Sequence, residues 1–219
     1  MITLAGLEAE AAARHLEMLG ALSLEGDTDA SKGTTRLVLL GPAPGGFWPA
    51  FQASPEGQDG APDPIDRWSR RVIGTWACDL KGKALFPFGG PPYRPFLRWA
   101  AGSGRAWSSP VGALVHDRFG LMVSYRGALA LPDAFELPDT GPRPCETCVD
   151  QPCLTACPVG ALSAAPYNVP ACKAHITAPE GADCLAQGCR VRRACPLSLG
   201  AGRDPAQSAY HMSLFLGPQ

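Results

Sequence analysis

Eight of the nine cysteines in this 219-residue chain fall between Cys145 and Cys195. A segment with so many thiols cannot build an ordinary hydrocarbon core, and it must be held by disulfides or by metal. The N-terminal residues favour metal. Met1 to Leu19 has no basic stretch leading into an apolar run and carries Glu8, Glu10 and Glu17. It reads as a first helix and not as a secretion leader. No stretch nears the ~18–20 continuous apolar residues of a membrane span, and no lipidation box is present. The expected compartment is therefore a reducing cytoplasm, where clustered thiols are ligands rather than disulfides. Cys78, the ninth, reads as a small buried apolar side chain and a bystander.

The spacing narrows the choice of metal. Cys145, Cys148, Cys153 and Cys157-Pro158 run as C-x2-C-x4-C-x3-C-P, and Cys172, Cys184, Cys189 and Cys195-Pro196 as C-x11-C-x4-C-x5-C-P. A four-iron cluster needs one thiolate at each of four corners. A short loop wraps three, and the fourth, the Cys before Pro, ligates the other cluster in two-cluster ferredoxins. Proline after that Cys has a fixed φ and no N–H, so the chain turns away. One expected set is thus Cys145, Cys148, Cys153 and Cys195, and the other is Cys172, Cys184, Cys189 and Cys157. The wide second spacing leaves open which of Cys172 and Cys184 completes its set, and whether Cys78 substitutes. The competing reading is a pair of structural zinc sites in an interaction protein. Zinc ribbons favour paired C-x2-C knuckles, of which there is one here, and zinc gives the Cys-Pro ends no role.

The run Cys145 to Ala161 resembles dicluster ferredoxin-type domains that bind two [4Fe-4S] clusters. The set from Cys172 to Pro196 resembles the ferredoxin module of epoxyqueuosine reductases and related corrinoid-dependent reductases. Upstream, Val115-His116-Asp117-Arg118-Phe119-Gly120-Leu121 and Tyr125-Arg126-Gly127-Ala128 resemble the His-containing hairpin of the cyanocobalamin decyanase family. That second resemblance implies a nitroreductase-like α/β fragment in which His116 and Gly120 bind cobalamin or flavin. Read from the residues alone, His116 is a hydrogen-bonded structural histidine and Gly120 a turn residue.

The remainder reads as an α/β N-terminal region, residues 1–131, a proline-rich linker at 132–144, and a small loop-rich ferredoxin-like iron–sulfur domain at 145–219. Leu7, Ala11, Leu16 and Leu19 suggest one helical face. Arg36 to Leu40 reads as a buried strand, and Ala84 to Phe86 as another. Asp63-Pro64 opens a helix that buries Ile65, Trp68, Val72 and Trp76. Arg94 to Ala101 forms a brief helix. Gly112 to Leu131 is the best strand pair, with Leu121, Val123 and Tyr125 alternating inward. Little helix or strand is expected from 145 to 200. Arg203 to Leu216 is a closing helix with Tyr210 and Leu214 inward, while His211 and Met212 shield the metal region.

Lys plus Arg is 19 and Asp plus Glu is 20, a net charge of -1. That balance offers no reason to expect nucleic acid as a partner. Arg190, Arg192 and Arg193 beside Cys189 dock an acidic partner, offset negative clusters, or form a solvated face. The expected function is electron transfer through two [4Fe-4S] clusters to a redox protein partner, with no catalytic residues of its own. The alternative is a reductase whose clusters feed electrons to an N-terminal corrinoid or flavin.

Overall fold

Thr3 sets the first helix. Its hydroxyl accepts a hydrogen bond from the Gly6 N–H at 3.1 Å and caps α1, Leu4–Ala13. The structure, a computed structural model, describes residues 2–217. The helix is shorter than its apolar spacing suggests. Arg14 ends it and His15 adopts a left-handed φ of 58°, so Leu16 and Leu19 belong to strand β1, Leu16–Ser23. Leucines three apart fit either period, and the backbone turn at His15 decides between them.

The chain continues through β2 (Arg36–Pro42), α2 (Phe47–Gln52), α3 (Pro55–Gln58), α4 (Pro64–Asp79), β3 (Lys83–Leu85) and α5 (Phe96–Gly102). It then makes β4 (Ala106–Ser108) and β5 (Leu114–His116), followed by β6 (Gly127–Leu131). Two compact units result. Unit 1 is the chain up to Arg105 together with Ser124–Gly141, and unit 2 is Ala106–Val123 together with the chain from Pro142 onward.

In unit 1 an antiparallel sheet runs in the order β1-β2-β6-β3. Leu37, Val38, Leu39 and Leu40 are fully buried, as are all five residues of β6. An unbroken apolar run of this kind marks a strand covered on both faces. The α4 helix packs on β6 and β3. Pro64 opens it at the first helical position, where a missing N–H costs nothing. Asp63 occupies the cap position in a left-handed conformation, yet its side chain makes no capping bond. The buried face is Ile65, Trp68, Ile73 and Trp76, with Ile73 taking the inward place expected of Val72. Cys78 lies on the opposite face and is exposed, which corrects its reading as a buried side chain. Glu56 on α3 receives two bonds from Arg71, Nε to Oε1 at 2.5 Å and Nη2 to Oε2 at 2.9 Å. The Arg71 guanidinium holds the Glu56 carboxyl down at about 2, against a usual 4.5.

Unit 2 starts with a small hairpin in which β4 pairs antiparallel with β5, Trp107 opposite Val115. His116 and Gly120 bridge each other beyond it. The strand pair expected over 112–131 does not form. Residues 121–126 are not a strand, and β6 pairs with β2 and β3 of unit 1. The hairpin therefore belongs with the cysteines, and the later crossing between units, from Gly141 to Pro142, falls within the proline-rich stretch.

The rest of unit 2 is more helical than expected, in short pieces. Single 3-10 turns at Pro144–Glu146 and Pro152–Leu154 precede α6 (Val169–Thr177), α7 (Ala182–Gln187), α8 (Arg190–Ala194), α9 (Pro196–Leu199) and α10 (Pro205–Leu216). Proline at the first turn starts many of these, and Asn168 and Asp204 cap α6 and α10 through their side chains. The inner face of α10 is Gln207 and Ser208. Tyr210 is half-buried and Leu214 is 61% exposed, so the inward pair expected there is corrected. The protein is thus mixed α/β with small sheets and much loop. Among the described residues, no helix is long and apolar enough to cross a membrane.

Candidate metal centres

The eight late cysteines wall two separate hollows in unit 2. Cys145, Cys148, Cys153 and Cys195 line the first, a cavity of about 440 Å³. Cys157, Cys172, Cys184 and Cys189 line the second, of about 320 Å³. Both sizes fall in the ~300–1,000 Å³ range of small-ligand and cofactor sites. Each set takes three thiols from one cysteine run and one from the other. Cys172 and Cys184 both face the second hollow, so neither displaces the other, and Cys78 lies in unit 1.

Local geometry explains the division. After Cys148 the chain runs through Gln151, whose φ of 37° is left-handed, into a turn opened by Pro152. That reversal turns Cys153 inward, where it is buried. After Cys157, Pro158 leads into a tight turn in which Gly160 N–H donates to Cys157 O at 3.2 Å and Ala161 N–H donates to Cys157 Sγ at 3.2 Å. Cys195 precedes Pro196, which opens α9, and Ser198 N–H donates back to Cys195 O at 2.8 Å. Both Cys-Pro steps therefore redirect the backbone as soon as the thiol has been placed.

The hairpin supplies a wall. Val111, Val115 and Leu121 pack with Cys153, Val191 and Cys195 in one buried cluster, and Val115, Leu121 and Leu197 line the first hollow. Gly120 sits tight against this wall with φ +53°. A Cβ there would lie 2.6 Å from Ser198 N and 2.8 Å from Cys195 Sγ. Only glycine takes both the left-handed conformation and the close approach. The second hollow is closed on one side by Ile176, Met212 and Phe215, with His211 beside them.

Crowding marks the thiols electrostatically. Burial pushes the Cys145 thiol up, and the neighbouring Cys153, Cys195 and Cys148 push it further. Burial raises Cys153 in the same way, with Cys195 next in weight. Burial also raises Cys184, although the Arg190 N–H donates to its sulfur and pulls the other way. Four thiolates cannot share such a hollow without a cation among them. Burial pushes the Tyr167 phenol up, and the neighbouring Cys172 pushes it further.

His116 and Gly120 stand apart from the sheet of unit 1. Both lie in unit 2 and not with the N-terminal unit. His116 is completely buried. Its Nδ1 lies 3.1 Å from the Arg118 N–H and 2.9 Å from Asp117 Oδ1. One nitrogen cannot accept from the first and donate to the second at once, so the proton on Nδ1 selects its partner. His116 lines neither hollow, and Gly120 serves Cys195 and Ser198.

Several site residues escaped the sequence reading. Ser109 lines the first hollow, with its Oγ buried and no hydrogen-bond partner. His175 lines the second, with Nε2 in the same condition. Tyr167 and Arg203 line the second hollow as well. His175 follows Cys172 by three residues on α6, a helical spacing that places both on one face, and that signal was present in the sequence. Ser109 had none, since it reaches the thiols only through the fold of the hairpin. Among the described residues, no three of His, Cys, Asp and Glu converge where a single metal ion would sit. Comparisons with protein-family models, with curated proteins and with solved structures find no match to this chain.

Proposed function

We propose that this chain is an electron-transfer protein carrying two [4Fe-4S] clusters in a ferredoxin-type unit 2. The observation that carries the reading is the division of eight thiols into two hollows, four to each, with one member of each four drawn from the opposite run. The donor set fits such a group. A tetrathiolate zinc site needs every sulfur ~2.3 Å from one point, whereas these thiols stand around the walls of a cavity. A polynuclear core with one thiolate at each corner suits that arrangement.

Cys145, Cys148, Cys153 and Cys195 would hold one cluster, and Cys157, Cys172, Cys184 and Cys189 the other. When bound, each cluster supplies reversible uptake of a single electron. The chain supplies the rest. Val115, Leu121 and Leu197 keep water from the first hollow, and Ile176, Met212 and Phe215 from the second. Ala161 N–H bonds to the Cys157 sulfur and so favours added negative charge there. Crossed ligation also joins the early and late halves of unit 2, so that metal loading and folding become one event.

Anaerobic purification tests the reading. A brown protein with a broad band near ~400 nm and about eight irons supports it. A colourless protein with two zincs overturns it.

A further inference from the structure

The two hollows differ in what surrounds their thiols. Arg190, Arg192 and Arg203 line the second, and no carboxylate does. Arg190 shares its charge with Asp183 at 2.7 Å, which leaves Arg192 as the larger contributor of the two. His175 Nε2, buried and without a partner, belongs to the same lining. Of the four sulfurs, Cys157 accepts a hydrogen bond from Ala161 N–H at 3.2 Å. The first hollow has one charged lining residue, Asp150, and no cationic one. Among the described residues, the orphaned polar side chain of its lining is the neutral hydroxyl of Ser109.

Adding an electron makes a thiolate-bound centre more negative. Guanidinium groups and hydrogen bonds to sulfur favour that change, and a carboxylate opposes it. We infer that the second hollow is the higher-potential end of the protein, so that an electron delivered to the first set moves on to the second. The inference rests on the two-cluster reading and adds a direction to it. The step is the passage of one electron. The first centre is oxidised by one unit and the second reduced by one, and no bond or proton changes place. The electron originates with an external one-electron donor, dithionite in the test.

The test is an EPR-monitored reductive titration of the anaerobically reconstituted full chain, after iron and sulfide have been counted. The expected result is two separate steps, with the electron of the half-reduced protein favouring one centre by about tenfold or more, which is ~59 mV for a one-electron couple. Arg192→Gln should lower the upper step and leave the lower one in place. Asp150→Asn should raise the lower step alone. Both side chains are exposed, so both variants fold. His175→Phe keeps the ring and removes Nε2, and should again lower only the upper step. A chain with about eight irons whose steps coincide overturns the ordering and leaves the two-cluster reading standing. So does a loaded chain in which Arg192→Gln moves the lower step or neither. A chain that binds no iron overturns both.

Discussion

Units 1 and 2 are held together by different means. In unit 1 the central strands β2 and β6 are buried along nearly their whole length, and Trp68, Trp76 and Trp99 are buried as well. Removing water from that surface is sufficient to hold a sheet. In unit 2 a buried cluster of six residues counts two cysteines among its members. Around it stand short helices and single turns, most of them too brief to be stable alone, with two cavities where a hydrocarbon core would be. The contrast teaches that one part of the chain fills its own interior with hydrocarbon, whereas the other arranges thiols around two hollows.

The sharpest way to break this contrast is to remove a thiol. Cys153→Ser or Cys157→Ser should lose at least four of about eight irons. Hydrogen exchange should then rise sharply through residues 144–216 while β2 and β6 stay protected. Protection that falls equally in both units would mean that unit 1 also depends on metal.

The reverse experiment is Leu39→Ala, which opens a cavity in the buried strand and should cost unit 1 ~2–5 kcal/mol. Denaturant unfolding followed by tryptophan fluorescence measures the loss, with the iron count unchanged. Gly120→Ala comes next. The new methyl meets Ser198 and Cys195 in a conformation that alanine resists by roughly 1–2 kcal/mol. Iron should leave this variant faster than wild type under a chelator.

The smallest effect is electrostatic and confined to unit 1. The Glu56 carboxyl is held at about 2, below its unfolded value of 4.5. The stabilisation from Arg71 is therefore complete above about 4.5 and disappears as pH falls through about 2. Glu56→Gln should cost ~1–2 kcal/mol at neutral pH and flatten the acid limb of the melting profile. An acid limb unchanged from wild type would remove this pair from the account.

Legibility in the sequence follows the same divide. The α4 helix could be read from Pro64, Ile65, Trp68 and Trp76, and β2 from its unbroken apolar run, because each pattern is local. The grouping of thiols in fours was suggested by the two Cys-Pro steps, where a single residue redirects the chain. What they hold remains the proposal above. The places that could not be read depend on distant partners. Leu16 and Leu19 suit a helix or a strand equally, and β2 settles which. Val123 and Gly127 look like one continuous strand, yet the chain changes units between them. Ser109 and Gly120 give no sign in the sequence that they meet Cys195 or the hollow it lines.

The position of β6 has a consequence for how the protein is made. It lies between β2 and β3 in the sheet but follows both in sequence, after the β4–β5 hairpin has already been synthesised. A nascent chain leaving the ribosome therefore has a sheet with its middle slot empty until residue 131 emerges. Its hairpin meanwhile waits for cysteines that have not yet been translated. A fragment starting at Pro142 would carry all eight late thiols and still lack Val115, Gly120 and Leu121, the wall that one of its cavities needs.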